Sequence, residues 1–203
     1  MNPLHPRRAQ RVDQAGAVPR AVALLLALLA PAVGLAADYR ALPGSTLAFS
    51  STFQGERFTG HFKRFVPMLR FDPARLADSR FEVAIDLASV DSQNTERDDG
   101  LRSTDFFNVH KQAQAHYVAT RFRSLGQGRF VADGVLSLNG ASKPVPLTFT
   151  WSGGAKPVLN GTATVRRLDF QVGSGEWADT SLLPNDVLVT TRLQLAPGQS
   201  APR

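Results

Sequence analysis

The chain has 203 residues, 23 basic and 17 acidic side chains for a formal charge of +6, and no cysteine. The missing cysteine excludes a disulfide framework, a zinc–thiolate site and thiol chemistry. The length is that of one domain preceded by a leader.

In chain order, Arg7, Arg8, Arg11 and Arg20 come first, then the apolar run Ala21 to Ala30, then Pro31 and small residues as far as Ala37. That is the layout of a secretory signal peptide, so residues 1–37 are expected to be removed, with cleavage after Ala36 or Ala37, and the mature protein is expected in the periplasm. An uncleaved anchor is the competing reading, but the run falls short of the roughly 20 apolar residues needed to span a bilayer unless Ala32 to Ala37 is added. The leader carries four arginines and one aspartate, so the mature chain keeps 19 basic against 16 acidic residues, a charge of +3. These are scattered rather than clustered, which argues against a nucleic-acid partner.

From Ser45 onward the sequence alternates with period two. Leu47, Phe49, Ser51 and Phe53 share one face of a strand, and Phe81, Val83, Ile85 and Leu87 share one face of another. Further predicted strands are Phe58–Phe65, Met68–Phe71, His116–Phe122, Phe130–Leu138, Val145–Trp151, Val158–Leu168 and Val187–Leu195. Gln54-Gly55, Gly126-Gln127-Gly128, Asn139-Gly140 and Gly153-Gly154 lie between runs as hairpin turns, and Asp72-Pro73 marks another. Asp91 to Phe107 alone reads as a helix. Thr95 and Asp98 have capping-box spacing, with Asp in place of Glu or Gln, and acidic residues crowd the first turn. Pro197 to Arg203 is expected to be a flexible tail, leaving 38–196 as one domain without an internal repeat.

Hairpin-linked strands with one short helix and no βαβ alternation predict an all-β fold, an antiparallel barrel or sandwich. About eight such strands close into a barrel that side chains can fill or that can hold one small ligand. The chain has 13 Phe, all beyond the leader, against two Tyr and two Trp, so its interior is rich in rings without hydroxyl handles. Such a lining suits a long hydrocarbon better than a sugar or a nucleotide.

Ser89 to Phe107 (SVDSQNTERDDGLRSTDFF), Ala115 to Phe122, Gly128 to Trp151 and Asp186 to Leu195 together resemble the YceI-like family. The most specific parts are the spacing within Ser89–Phe107 and the Gly-x-Leu-x-Leu-x-Gly-x-x-Lys-Pro-Val-x-Leu pattern from Gly134 to Leu147. The resemblance runs from Tyr39 to Ala196. It implies an exported, polyisoprenoid-binding protein with an extended lipocalin-like barrel, whose strands wrap a tunnel for an isoprenoid tail with the helix near Thr95 to Thr104 beside its mouth. The sequence departs from the family pattern at Gln54-Gly55-Glu56, where many relatives carry a His-containing strand pair, and at Ala113, where Pro is usual. The Gln-Gly variant resembles a subgroup associated with membrane b-type cytochromes, which implies a quinone as ligand.

The tunnel-lining candidates are Phe49, Phe53, Phe62, Phe106, Phe107, Phe122, Phe149 and Trp151. Periodicity alone favours rings packed on one another with no cavity, since close packing is the normal state of an interior; the resemblance favours a hollow. Arg97 and Arg102 are the head-group candidates, with Arg121 and Lys143 behind them, each weighed against a plain surface ion pair. Asp98 and Asp99 point about 100° apart on a helix and read as capping rather than as an acid–base pair. His61, His110 and His116 have no metal-ligand spacing. Gly173-Ser174-Gly175 lacks the flanks of a nucleophile elbow, and Gly126-x-Gly128 opens no helix and is no phosphate loop. No catalytic residue and no cofactor is expected beyond a bound isoprenoid lipid such as a quinone. The sequence reads as a non-enzymatic carrier of ubiquinone or a prenylated precursor. The alternatives are a filled-barrel interaction module of a membrane b-type cytochrome and an enzyme acting on isoprenoids; a homodimer is admitted as an assembly.

Overall fold

A computed structural model describes residues 37–198. The predicted leader up to Ala36 and the last five residues of the predicted tail lie outside the described residues. The strands are β1 (Ala37–Ala41), β2 (Thr46–Phe53), β3 (Glu56–Phe62), β4 (Phe65–Phe71), β5 (Arg80–Asp86), β6 (Val90–Asp91), β7 (Gln114–Gly126), β8 (Arg129–Leu138), β9 (Ala141–Ser152), β10 (Val158–Arg166) and β11 (Asp186–Pro197). The one α-helix among the described residues, α1 (Thr95–Arg102), falls between β6 and β7. Hydrogen-bonded neighbours run β1-β4-β5-β7-β8-β9-β10-β11, and a β1–β11 pairing closes these eight into an antiparallel barrel. The long β11 pairs with β1 through Leu195 to Pro197 and with β2 through Leu188 to Arg192, so β2, β3 and β6 extend the wall from its other half.

The turns form where the sequence supplies residues tolerant of positive φ. Gln54 and Gly55 have φ of 50° and 85°, and Asn139 and Gly140 have 48° and 81°, as two-residue hairpins require. A register shift between Ala119 and Arg121 interrupts the β7–β8 ladder. Before it, Ala115, Tyr117 and Ala119 face inward; after it the parity changes, so Phe122 turns in and packs on Phe81 while Arg123 turns out to Asp133.

Several boundaries differ from the sequence reading. β1 was not anticipated, because five residues with a charge at Asp38 and another at Arg40 carry little periodic signal. The predicted strand Phe58–Phe65 ends at Phe62; Lys63 and Arg64 bend the chain, and β4 starts at Phe65 rather than at Met68. Pro67 is tolerated there because β1 runs out at the Arg40–Met68 pair, leaving that stretch of β4 with a free edge. The predicted strand Val158–Leu168 ends at Arg166, where a 3₁₀ turn over Arg167–Phe170 takes over. Pro197, read as tail, is the last residue of β11, opposite Tyr39.

The helix spans Thr95–Arg102, not Asp91–Phe107, and its cap is one residue earlier than the predicted box: the Asn94 side chain accepts from Arg97 N at 2.9 Å. Asp98, only 6% exposed, is no cap. Its carboxylate accepts from the backbone N and the hydroxyl of Ser92 at 2.8 and 2.6 Å, tying the helix to the end of β6.

The interior divides in two. At one end of the barrel Phe71, Phe81, Phe130 and Phe149 are buried together with Leu69, Leu159, Leu193 and Leu195. At the other, Phe49, Leu87, Leu101, Phe107, Leu136, Leu138 and Phe170 form a second cluster under α1 and the segment that follows it.

Candidate functional site

A cavity of about 200 Å³ occupies the barrel between these clusters. Phe49, Phe58 and Phe62 from β2 and β3 form one wall, Leu136, Leu138 and Val145 from β8 and β9 another, and Val165, Val187 and Val189 from β10 and β11 a third. Phe106 and Phe107, in the turn after α1, lie over one end, and Leu69, Phe81, Leu159 and Leu193 lie at the other. Among the described residues the lining is apolar apart from Ser51, Tyr117, Thr191 and a single charged residue, Arg167. An apolar, ring-lined space of this kind binds by excluding water from hydrocarbon, with no directional contact required.

Two glycines shape the wall by what they leave out. The Phe49 ring lies over Gly60, its cross-strand partner, so close that a Cβ there would be 2.4 Å from Cζ of Phe49. The Tyr117 ring covers Gly134 in the same way, at 2.2 Å from the position of a Cβ. The first glycine of the Gly134–Leu147 pattern is therefore a bed for Tyr117. The Tyr117 hydroxyl donates to Ala132 O at 3.2 Å, and burial pushes its pKa far above that of a free phenol, with Asp133 adding to the rise.

Arg167 is 3% exposed and has no carboxylate partner among the described residues. Its guanidinium donates instead to five carbonyls: Pro184 O at 3.1 Å, Val172 O at 3.0 Å, Trp177 O and Leu183 O at 2.7 Å each, and Gly173 O. These acceptors all lie between Val172 and Pro184, in the segment that covers the end of the barrel, so one side chain holds that cover in shape. Burial draws its pKa downward. Arg167 is not among the site residues predicted from sequence, although its signal is present there: alternation through Leu159, Gly161, Ala163 and Val165 places residue 167 inward, where an arginine needs an explanation.

The predicted site residues divide accordingly. Phe49, Phe62, Phe106 and Phe107 line the cavity. Phe122, Phe149 and Trp151 do not: they pack in the aromatic cluster at the closed end, with Phe149 1% exposed. Phe53, at the end of β2, does not line the cavity and lies against Trp177, ring centroids 6.0 Å apart. Of the head-group candidates, Arg97 lies 4.7 Å over the Phe58 ring and donates to Ser92, while Arg102 donates to Asp99 and to the carbonyls of Ala88 and Val90. Neither lines the cavity. Arg121 and Lys143 are exposed, as are His61, His110 and His116, and no group of three metal-binding side chains occurs among the described residues. Gly173-Ser174-Gly175 belongs to the cover, and Gly126-Gln127-Gly128 is the β7–β8 turn.

A family model described as a YceI-like domain matches residues 42–195. A UPF0312 protein of Shewanella baltica is 33% identical over 157 residues, covering 71% of this chain and 82% of its own. The crystal structure of Burkholderia cenocepacia BcnA superposes with a TM-score of 0.71 at 28% identity, over 75% of this chain and 96% of that one. A structure described as a polyisoprenoid binding domain from Saccharophagus degradans shares the fold at a TM-score of 0.59 and 18% identity, over 81% of this chain and 99% of that one.

Proposed function

Because this chain belongs to the YceI-like family, we propose that it is a non-enzymatic periplasmic carrier that shelters the tail of an isoprenoid lipid, a ubiquinone or a prenylated precursor, in its barrel. The observation that carries this reading is the cavity itself: hydrophobic walls, rings on three sides, and a lone charge whose donors are all spent on backbone carbonyls. Each buried methylene contributes about 0.8 kcal/mol, so one isoprene unit is worth roughly 3 to 4 kcal/mol before association costs are subtracted. A ligand bound this way needs no ion pair, which fits the engagement of Arg97 and Arg102 elsewhere. The polyisoprenoid-binding description of the Saccharophagus relative adds support through the shared fold. A cytochrome-partner module with a filled barrel fits less well, since the barrel holds an apolar cavity of about 200 Å³.

The test is native mass spectrometry and lipid extraction of protein purified from the periplasm of its own host, followed by titration with a prenylated quinone. Recovery of an isoprenoid in stoichiometric amount supports the carrier. Protein that is repeatedly empty and takes up no quinone on titration rejects it.

A further inference from the structure

The filled end of the barrel bears on which isoprenoids the cavity can take. Phe71 has ring centroids 5.2 Å from Phe130, 5.3 Å from Phe149 and 4.8 Å from Trp151. Phe81 joins the same stack at 4.7 Å from Phe122 and 5.2 Å from Phe149. Phe81 also lines the cavity, so one ring is both the floor of the hollow and the first layer of the stack behind it. It is 2% exposed. Rings packed at these distances, with the interior behind them already filled, resist being pushed aside by a ligand.

We propose, resting on the carrier reading, that this stack is a stop that sets how much of an isoprenoid tail the barrel encloses, and that Phe81 is its contact residue. An apolar cavity of about 150 Å³ holds one benzene, or roughly 25 Å³ per carbon. The volume of about 200 Å³ then encloses about eight carbons, between one and two isoprene units. Anything longer meets Phe81 and must leave by the end covered by Phe106, Phe107 and the segment that Arg167 holds. The specificity that follows is for the first units of the tail: each enclosed unit adds affinity, and each further unit adds almost none.

The experiment measures dissociation constants of the full-length mature protein for dimethylallyl alcohol, geraniol, farnesol and geranylgeraniol, delivered from cyclodextrin. In the wild type, geraniol is expected to bind at least about tenfold tighter than dimethylallyl alcohol, as burial of a further unit requires, and the gain is expected to flatten from farnesol onward. Phe81→Ala opens space behind the floor and moves the flattening to a longer alcohol; Phe81→Leu moves it the same way by less, and decides the matter if the alanine variant does not fold. Ala163→Leu, which fills the cavity from β10, moves it to a shorter one. Affinity that keeps climbing by the same factor through geranylgeraniol in the wild type overturns the stop, as does an unchanged profile in a folded Phe81 variant. Failure of all four alcohols to bind rejects the carrier reading itself, which is a different result.

Discussion

Arg167 concentrates in one side chain the work that several contacts would otherwise share. A guanidinium has five N–H donors in a rigid plane, and here its donors meet five carbonyls spread over Val172 to Pro184. Methionine at this position keeps an unbranched apolar stem but leaves the three buried acceptors, at Val172, Gly173 and Leu183, without a donor, each a penalty of about 1 kcal/mol or more unless water reaches it. Arg167→Met is therefore expected to cost about 3 kcal/mol in urea denaturation, and to raise amide exchange from Val172 to Leu183 above that of the strands. Arg167→Lys restores only part of the network, since an ammonium has three donors and no fork. Tyr117 supplies a second residue-scale prediction, through pH. Its pKa is raised in the folded protein, so the phenol ionises first in the unfolded chain; the stability this provides is complete below the ordinary phenol value of about 10 and falls as pH rises beyond it. Tyr39 is shifted upward as well, by burial and by Asp72. The denaturant midpoint in urea should thus decline as pH is raised above about 10, and Tyr117→Phe should flatten that decline without abolishing it.

At the scale of the element, α1 is held by a bond that its own sequence disguises. Eight residues are too few for a helix to be stable alone, and Asp98 fastens this one to Ser92 through two hydrogen bonds, while Arg97 covers Phe58 on the cavity wall. Asp98→Ala should destabilise the protein by about 2 to 3 kcal/mol, the range for bonds to a buried charge; Asn94→Ala, which removes the exposed cap, should cost only about 1 kcal/mol. A reversed order of those two values in denaturant titration would return Asp98 to the capping role its spacing suggests. Thr-x-x-Asp reads as a box in sequence because spacing cannot show that the Asn one place earlier has the extended backbone a cap needs, or that Asp98 faces inward. The strands were legible for the opposite reason: alternation of period two depends only on which face is buried. Phe122 shows where that rule needs help, since its inward direction follows from a bulge after Ala119 that the pattern of residues does not announce. β1 was not legible, being short and charged, and finds its place only through β4 and β11.

For the whole molecule, the sequence carried the barrel and a ring-rich interior, but not the division of that interior. Thirteen phenylalanines could fill the centre or line it, and composition treats the two alike. Which occurs depends on where the barrel brings strands of opposite direction together. The C-terminal half of β4 meets the first residues of β5 and, across the interior, the ends of β8 and β9 that carry Phe130, Phe149 and Trp151, and there the rings lock. The other halves of those strands present Leu136, Leu138 and Val145 toward smaller residues such as Ala163, and the space stays open. A hollow costs stability in proportion to the contacts its lining forgoes; a ligand that fills it restores those contacts, which enter its dissociation constant and so stabilise the folded state through mass action. At a hundredfold excess over the dissociation constant that stabilisation is about 2.7 kcal/mol, which for a domain of this size is a rise in Tm of about 5 to 10 °C. Thermal unfolding with and without saturating farnesol should show it. Ala163→Leu should change the balance in the other direction, with a Tm at or above that of the wild type in the absence of lipid and a smaller rise when lipid is added, because part of the space the lipid would occupy is already taken.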